Sequence, residues 1–336
     1  MLEYSQIEKF DPSGMHKVYD KWPQIAREAY ESDLEPIEFN EIDHIVFSGM
    51  GGSGAIGDLF LSVLSKTSIH VTIVKGYVLP KTVNSKTLVV ATSVSGNTIE
   101  TISTVESAKN LGCKLVCFSS GGKLEELCRK HGIAHRNIPI NNNPRASFPA
   151  YVYSILKTLN SIIPVSKSNI EESISQLEVL SKKISTNNLS DSNPSLSLAK
   201  WLDDITIIYY PWGLQAAAIR FKNSIQENMK NHAMIEDVIE ACHNGIVSWE
   251  GKSIVKPILI QGSDDYIKTK ERWMILKNYF KENDLDFWEI HSIKRDVLSK
   301  IINLIYLLDF ATIYNAIINE IDPFPVNPID YIKKHI

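Results

Sequence analysis

The sequence is poor in cysteine and has no excess of positive charge. Its 336 residues include only 4 cysteines and no C-x-x-C pair, which excludes a disulfide framework, a zinc ribbon and a thioredoxin-type motif. The 35 lysine and arginine residues are outnumbered by 39 acidic ones, and the formal net charge is -4. This balance argues against a protein that binds nucleic acid through its phosphates, and the free thiols indicate a cytoplasmic location.

The chain also lacks a recognisable signal peptide and an uninterrupted apolar run. Its first residues, MLEYSQIEKFDPSGM, contain neither a basic region nor an apolar core. The longest apolar stretch, 301–318, is interrupted by Asn303, Asp309 and Asn315, as a buried helix permits and a membrane span tolerates poorly. We therefore expect a soluble protein without membrane association. With 44% hydrophobic and 22% charged residues, the chain has the composition of a typical globular protein, and it is long enough for two domains.

Short β-branched runs alternate with helical segments from about residue 43. Four runs in the first half end at glycine or serine residues: 44–50, 70–76, 87–95 and 113–120. Helices are predicted between them at 55–65 and 98–111. Buried parallel strands joined by crossover helices produce this alternation. The pattern predicts an α/β fold, with a doubly wound parallel sheet in α/β/α layers and leading helices over 1–163.

The segment 164–198 interrupts the alternation. It is rich in serine and asparagine, and we interpret it as a polar linker with one helix at about 169–184. The alternation resumes over 199–336. Strands are predicted there at 205–211, 254–262 and 286–292, and helices at 214–230 and 295–319. A second doubly wound domain with C-terminal helices is therefore predicted.

Two loops that follow predicted strands have the composition of anion-binding turns. The loop GMGGSG, 49–54, lets the backbone approach a ligand before a helix begins, although such turns also occur for structural reasons alone. The loop SVSGNTIE, 93–100, contains the hydroxyl residues Ser93, Ser95 and Thr98, whose donors suit a phosphate monoester. An ordinary helix N-cap is the alternative for the second loop. No G-x-x-x-x-G-K-[ST] loop is present, which excludes a P-loop NTPase.

Together these residues resemble the sugar isomerase (SIS) domain, a sugar-phosphate-binding α/β module. More closely, the chain resembles the bifunctional phosphoglucose/phosphomannose isomerase family, whose members carry two SIS domains. The resemblance rests on FSGMGGSGAIGDL (47–59), ATSVSGNTIET (91–101), NPRA (143–146), RFKNSIQENMKNHA (220–233), EACHN (240–244) and DPFPVNPIDYIKK (322–334). SIS motifs alone are shared with regulators and other isomerases, whereas the ordered set in the second half is more specific.

The resemblance implies an aldose–ketose isomerase of glycolysis and gluconeogenesis that needs neither metal nor cofactor. It would interconvert glucose 6-phosphate, and mannose 6-phosphate, with fructose 6-phosphate through a cis-enediol. Glu227 would be the proton-transfer base, and His243 and Lys333 would act in ring opening. The substrate contacts would be Gly51, Gly52, Ser53, Ser93, Ser95, Thr98 and Arg145. The family also implies a homodimer in which His243 enters the pocket of the neighbouring subunit.

The residue types alone leave structural alternatives open for these positions. Glu227 can pair with Lys230 or Asn231 along a helix surface. His243 can be an ordinary core histidine, and Arg145 and Lys333 can be solvent-exposed cations. His131 and His135 are four residues apart, but a glycine between them breaks the helical spacing that a pair of metal ligands needs.

Two other functions also remain open. A non-catalytic sugar-phosphate sensor would need only the hydroxyl-rich loop 93–100. Residues 1–42, however, are too short and acidic for the helix-turn-helix domain of a DNA-binding regulator. An SIS isomerase of another phosphosugar is the second. Val326 lies seven residues before Lys333, where the resemblance predicts a hydroxyl residue, so the preference between glucose and mannose epimers stays open.

Overall fold

The protein folds into two compact units in a computed structural model that describes residues 2–203 and 205–336. The N-terminal unit comprises 21–175. The C-terminal unit comprises 176–336 together with the chain up to Asp20, which contains α1 (Tyr4–Phe10) and α2 (Met15–Asp20). Each unit is described by itself.

The N-terminal unit is built on a five-stranded parallel sheet. Its strands are β1 (His44–Ser48), β2 (His70–Val74), β3 (Thr87–Ser93), β4 (Lys114–Ser119) and β5 (Ala134–Asn137), in the order β2-β1-β3-β4-β5. Its helices are α3 (Trp22–Glu31), α4 (Gly51–Leu64), α5 (Ile99–Ala108), α6 (Gly122–His131) and α7 (Phe148–Thr158). The central strands β1 and β3 are buried along their whole length, because crossover helices cover both faces of a parallel sheet.

The segment predicted as a linker contains the long helix α8 (Lys167–Ile184). This confirms the helix expected at about 169–184, and the apolar residues that predicted it are buried: Ile170, Ile174, Leu177 and Leu180. The boundary between the two units falls within this helix.

The C-terminal unit contains a four-stranded parallel sheet. Its strands are β6 (Ile205–Tyr210), β7 (Ala233–Asp237), β8 (Val255–Gln261) and β9 (Trp288–His291), in the order β7-β6-β8-β9. Its helices are α9 (Pro194–Trp201), α10 (Gln215–Ser224), α11 (Val238–Ala241), α12 (Ile267–Glu282), α13 (Val297–Ile318) and α14 (Asn327–Lys334). A π-helical turn, Ile225–Met229, continues α10, and a short 3-10 helix spans Gly245–Glu250. The predicted α/β fold with two parallel sheets is confirmed.

The bounds of the units differ from the segments 1–163, 164–198 and 199–336 expected from the sequence. The chain up to Asp20 groups with the C-terminal unit because its last residues are bonded there. The Tyr306 hydroxyl donates to the Tyr19 carbonyl at 2.7 Å, and the Thr186 amide donates to Asp20 at 3.0 Å. The expected segments also include Met1 and Asp204, which lie outside the described residues.

The helix α13 forms the core of the C-terminal unit. By length and composition it is the one helix of the described residues that could cross a membrane, but 89% of its most apolar window is buried inside the protein. Its polar side chains are also bonded internally. The Asn315 amide, for example, donates to the carbonyls of Ala199 and Leu202 at 2.9 and 2.8 Å. The prediction of a buried helix rather than a membrane span is confirmed.

Candidate functional site

Both predicted anion-binding loops of the N-terminal unit begin at the carboxyl ends of the central strands β1 and β3. These strands are neighbours, and Ser48, the last residue of β1, pairs in register with Ala91, two residues before the end of β3. The chain leaves β1 toward β2 on one side and returns to β3 on the other. In doubly wound sheets the crevice at this reversal of strand order is where ligands bind.

The glycine turn after β1 is shaped by its backbone. Gly51 has a φ of +52°, in the left-handed region, although a Cβ at this position would meet no atom within 4 Å. Glycine is therefore favoured there by conformation rather than by lack of space. Gly52 follows in the first turn of α4 and is half-buried, and Ser53 is buried. The Ser53 hydroxyl accepts a hydrogen bond from the Val94 amide at 3.4 Å, which joins the glycine turn to the loop after β3.

The loop after β3, residues 93–98, is called the serine loop. The Ser93 hydroxyl donates to the Thr98 hydroxyl at 2.9 Å and accepts from the Thr98 amide at 3.4 Å. The Asn97 amide donates to the Ser95 hydroxyl at 3.3 Å. Ser93 is buried and Ser95 is exposed, so the loop presents hydroxyls at two depths of the crevice.

The first turns of α4 and α5 have no side-chain caps. Met50 and Thr98 occupy the N-cap positions, and neither side chain accepts a hydrogen bond from the first turn. The interpretation of the serine loop as an ordinary N-cap is therefore wrong for Thr98, whose hydroxyl bonds Ser93 instead. Uncapped helix N-termini present N–H groups and positive dipole ends, which favour an anion.

Neighbouring elements hold the serine loop in place. The Leu124 amide of α6 donates to the Gly96 carbonyl at 2.9 Å, and the Lys123 amide donates to the Asn97 side chain at 3.2 Å. From α7, the Tyr151 hydroxyl donates to the Val94 carbonyl at 3.4 Å. The loop is thus fixed from both sides before any ligand binds.

Arg145 lies in the turn that precedes α7. It is only 6% exposed, so the alternative of a solvent-exposed arginine is wrong. The turn is closed by the Ala146 amide, which donates to the Asn143 side chain at 3.0 Å. This turn leads into α7, whose Tyr151 contacts the serine loop.

In the C-terminal unit, Glu227 lies half-buried in the π-helical turn at the end of α10. The sequence predicts one helix over 214–230, and the π-helical turn within it was missed. Such turns insert one residue into a helix and are frequent at functional sites. The turn is fixed to α13 by the Asn228 amide, which donates to the Thr312 hydroxyl at 2.8 Å.

A buried ionic network supports this turn, and sequence reasoning missed it. The Asp309 carboxylate of α13 accepts hydrogen bonds from the Arg220 guanidinium at 2.7 and 3.0 Å, from the Ser224 hydroxyl at 2.6 Å and from the Tyr19 hydroxyl at 3.1 Å. Burial lowers the pKa of Arg220, but the charge of Asp309 and smaller contributions from Tyr19 and Glu227 outweigh it, and the pKa is raised. The only signal in the sequence was an acidic residue inside an apolar run.

His243 and Lys333 lie on the surface of the C-terminal unit. His243 follows α11 and is exposed, so the alternative of a core histidine is wrong. Its backbone amide donates to the Glu240 carbonyl at 2.8 Å. Lys333 is an exposed residue of α14, a helix without any buried residue.

The structure therefore brings one set of the predicted residues together, whereas Glu227, His243 and Lys333 lie on three separate segments of the C-terminal unit. The residues of the glycine turn and the serine loop share one edge of the first sheet. In the C-terminal unit, the Lys230 side chain joins the turn of Glu227 to the chain that leads into α14. Across the described ranges, 2–203 and 205–336, no three His, Cys, Asp or Glu residues are grouped as a metal site requires.

Comparison with known proteins defines the class and then the family. Residues 38–162 match the SIS domain, and residues 191–336 match the bacterial phospho-glucose isomerase C-terminal SIS domain. The chain is thus a protein with two SIS domains. A bifunctional phosphoglucose/phosphomannose isomerase from Caldicellulosiruptor bescii is 33% identical over 94% of this chain and 96% of its own. The chain belongs to the bifunctional phosphoglucose/phosphomannose isomerase family, which confirms the resemblance seen in the sequence.

Other relatives and solved structures agree with this placement. A bifunctional phosphoglucose/phosphomannose isomerase from Aquifex aeolicus is 28% identical over 94% of each chain. A D-glucosamine-6-phosphate 4-epimerase from Sulfolobus acidocaldarius is 30% identical over 73% of this chain and 77% of its own. The crystal structure of a hypothetical protein from Thermus thermophilus superimposes with a TM-score of 0.71 at 14% identity, covering 95% of this chain and 89% of its own. At that identity the structural likeness concerns the fold alone.

Proposed function

We propose that the protein is a metal-independent aldose–ketose isomerase that interconverts glucose 6-phosphate, and mannose 6-phosphate, with fructose 6-phosphate. The observation that carries the proposal is the serine loop, whose hydroxyls lie at an uncapped helix N-terminus in the crevice between β1 and β3. The family of the chain supplies the reaction class.

In this proposal the sugar phosphate binds to the N-terminal unit through its phosphate. The hydroxyls of Ser93, Ser95 and Thr98 and the N–H groups that open α5 are neutral donors, which suit a group that carries about -1.5 to -2 charge at pH 7. Gly51, Gly52 and Ser53 let the backbone of α4 approach the sugar, and Arg145 adds a positive charge. Binding energy from the phosphate, remote from the reacting carbons, holds the sugar for the proton transfer.

Glu227 is the proposed base. Its carboxylate takes the proton from C2 of the open-chain aldose, which leaves a cis-enediolate. It then returns the proton to C1 while the proton of the C2 hydroxyl passes to O1, which gives the ketose. The π-helical turn, fixed to α13 through Asn228, supports this role because a base that serves two adjacent carbons must be held in one place.

His243 and Lys333 are proposed to act in ring opening. His243 passes a proton at the ring oxygen, and Lys333 assists at the sugar hydroxyl or stabilises the enediolate as a cation. The exposure of His243 supports its proposed entry into the pocket of a neighbouring subunit in a homodimer.

A second candidate is an isomerase or epimerase of another phosphosugar. It is favoured by the relative named D-glucosamine-6-phosphate 4-epimerase, which matches about as well as several of the phosphoglucose/phosphomannose isomerases. Both candidates share the phosphate-binding crevice and differ in the substrate carbons on which they act.

A coupled assay tests the proposal. Purified protein treated with EDTA should convert both glucose 6-phosphate and mannose 6-phosphate to fructose 6-phosphate. Glu227→Gln should lower kcat by about 100- to 10,000-fold, the range typical for a lost acid–base group, while fructose 6-phosphate still binds. Glu282→Gln, at an exposed position of α12, is the matched control and should leave kcat unchanged. Turnover of neither aldose phosphate, or turnover of glucosamine 6-phosphate alone, would reject the proposal.

A further inference from the structure

Lys230 ends the π-helical turn in a conformation that lysine rarely adopts. Its φ of +62° and ψ of 24° lie in the left-handed region, where helices commonly end with glycine. A lysine at such a position carries a backbone cost that glycine would avoid. Residues in sparsely populated backbone conformations cluster at functional sites, which indicates that the lysine side chain has a role that glycine could not fill.

The ammonium group of Lys230 is bonded to main-chain carbonyls from two separate segments. It donates to the Glu227 carbonyl at 2.5 Å and to the Pro325 carbonyl at 2.7 Å, and the Pro323 carbonyl accepts at 3.5 Å. The acceptors on the second segment are two residues apart and both serve the same group. An ammonium group has three protons, and this arrangement gives each of them a carbonyl partner.

These bonds connect the proposed base to the helix that carries Lys333. The Pro325 carbonyl is immediately followed by Val326, which begins α14 by accepting hydrogen bonds from the Ile329 and Asp330 amides at 2.8 and 3.2 Å. Because α14 has no buried residue, side-chain packing contributes little to fixing it, and the chain that precedes it must hold it.

We propose that Lys230 is a positioning residue that locks the Glu227 turn to the segment 323–326 and so keeps the base in register with α14. The inference rests on the proposed function, since it assigns Lys230 a part in the reaction of Glu227. It also places the side chain of residue 326, next to the clamped carbonyl, at a fixed position relative to the base.

A helix-surface pair of Glu227 and Lys230 does not account for all the contacts of Lys230. A lysine three residues after a glutamate can pair with its carboxylate along a regular helix. Lys230 instead lies beyond the end of the helical turn, and two of its three carbonyl partners belong to a distant segment, 323–325. A local surface pair would need neither feature.

The variant Lys230→Gly distinguishes the effect of the backbone conformation from the effect of the side chain. Glycine relieves the left-handed conformation, so the unfolding midpoint should be unchanged or higher. The ammonium group is lost, so kcat for fructose 6-phosphate formation should fall about 10- to 100-fold, as expected when a reacting group is misplaced by about an ångström. KM should stay within about threefold, because Lys230 is not among the proposed phosphate contacts. Lys230→Arg, which keeps donors and charge, should recover most of kcat.

Asp284→Gly is the matched control. Asp284 is also exposed and left-handed, with a φ of +52°, but lies in the loop after α12, so the variant should keep wild-type kcat. Hydrogen exchange gives a readout independent of activity: amides of 324–334 should exchange faster in Lys230→Gly and at the wild-type rate in Asp284→Gly.

Three outcomes would count against the inference. If the wild type is active and Lys230→Gly has the same kcat, the role of Lys230 is rejected and the proposed function remains intact. A variant with raised KM and unchanged kcat would also reject it, because the lost group would then serve binding only. A wild type that isomerises neither aldose phosphate would reject the proposed function and the role of Lys230 with it.

Discussion

At the residue scale, Gly96 is the position of the serine loop that tolerates substitution least. Its φ is +67°, and a Cβ at this residue would lie 1.8 Å from the Gly121 carbonyl oxygen. Conformation and space therefore both require glycine, because the loop packs backbone to backbone against the chain that opens α6. Gly96 thus fixes the course of the loop that carries Ser93, Ser95 and Thr98.

Gly96→Ala should displace the serine loop and weaken phosphate binding. We expect KM for the sugar phosphate to rise at least about tenfold and the free energy of unfolding to fall by about 1–3 kcal/mol, as for a strained backbone conformation. Steady-state kinetics and thermal unfolding measure the two effects. Gly76→Ala is the control, since a Cβ there meets no atom within 4 Å and its φ is not left-handed. An unchanged KM for Gly96→Ala would contradict phosphate binding at this loop.

Single residues of the site were predictable where composition alone carried the signal. Three hydroxyls and a glycine within six residues predicted the serine loop as an anion-binding turn. The structure places that loop in the crevice where the strand order reverses, between β1 and β3. The burial of Arg145 and the exposure of His243 were not predictable, because one sequence does not show which side of a turn faces the core. The sequence predicted Lys230 only as a helix-surface partner of Glu227, because two of its three carbonyl partners lie more than 90 residues away.

At the scale of elements, a buried ion pair between α10 and α13 lies at the start of the π-helical turn. Arg220 is 2% exposed, and its Asp309 partner is fully buried. A buried pair of this kind contributes little net stability compared with an apolar packing, but removing one partner leaves an uncompensated charge.

Asp309→Asn should therefore destabilise the C-terminal unit strongly. The expected loss is about 3–5 kcal/mol of unfolding free energy, since Arg220 stays charged without its partner. Chemical denaturation followed by circular dichroism measures it. Asp284→Asn, at an exposed loop position, should change the unfolding free energy by less than about 0.5 kcal/mol. A loss below about 1 kcal/mol for Asp309→Asn would show that the Arg220 charge is satisfied elsewhere.

Elements were predictable where their apolar period was strong. The central strands and α13 follow from buried β-branched and apolar runs. The strand β7 was missed because its sequence, AMIED, is short and largely only half-buried, so it lacks an apolar run. The π-helical turn was missed because its residues continue the apolar spacing of α10, and the extra residue arises from contacts with α13.

At the scale of the whole molecule, the sequence predicted two parallel-sheet domains, whereas the grouping of the chain up to Asp20 with the C-terminal unit could not be predicted. The chain up to Asp20 joins the C-terminal unit through Tyr19 and Asp20, which bond α13 and Thr186. Such contacts between residues far apart in the chain leave no mark on local composition. The fold class follows from periodicity, and the grouping follows from tertiary contacts.

A mixing experiment tests the proposed homodimer and the proposed place of His243 in it. Glu227→Gln and His243→Ala should each be inactive alone. If His243 acts in the neighbouring subunit, a mixed dimer has one complete site, and random reassociation should restore about a quarter of wild-type activity in a symmetric dimer. Restoration of no activity after verified subunit exchange would place His243 in the same subunit as Glu227.

Proton NMR of fructose 6-phosphate turnover in D₂O tests the central claim most directly. Transfer by one carboxylate through an enediol exposes the proton to exchange, so deuterium should enter C2 of the glucose 6-phosphate and mannose 6-phosphate formed. The label should disappear together with turnover in Glu227→Gln. If the aldose phosphates formed by the wild type carried at C2 only the hydrogen that came from C1, the account would be contradicted. Deuterium incorporation by Glu227→Gln at the wild-type rate would also contradict it.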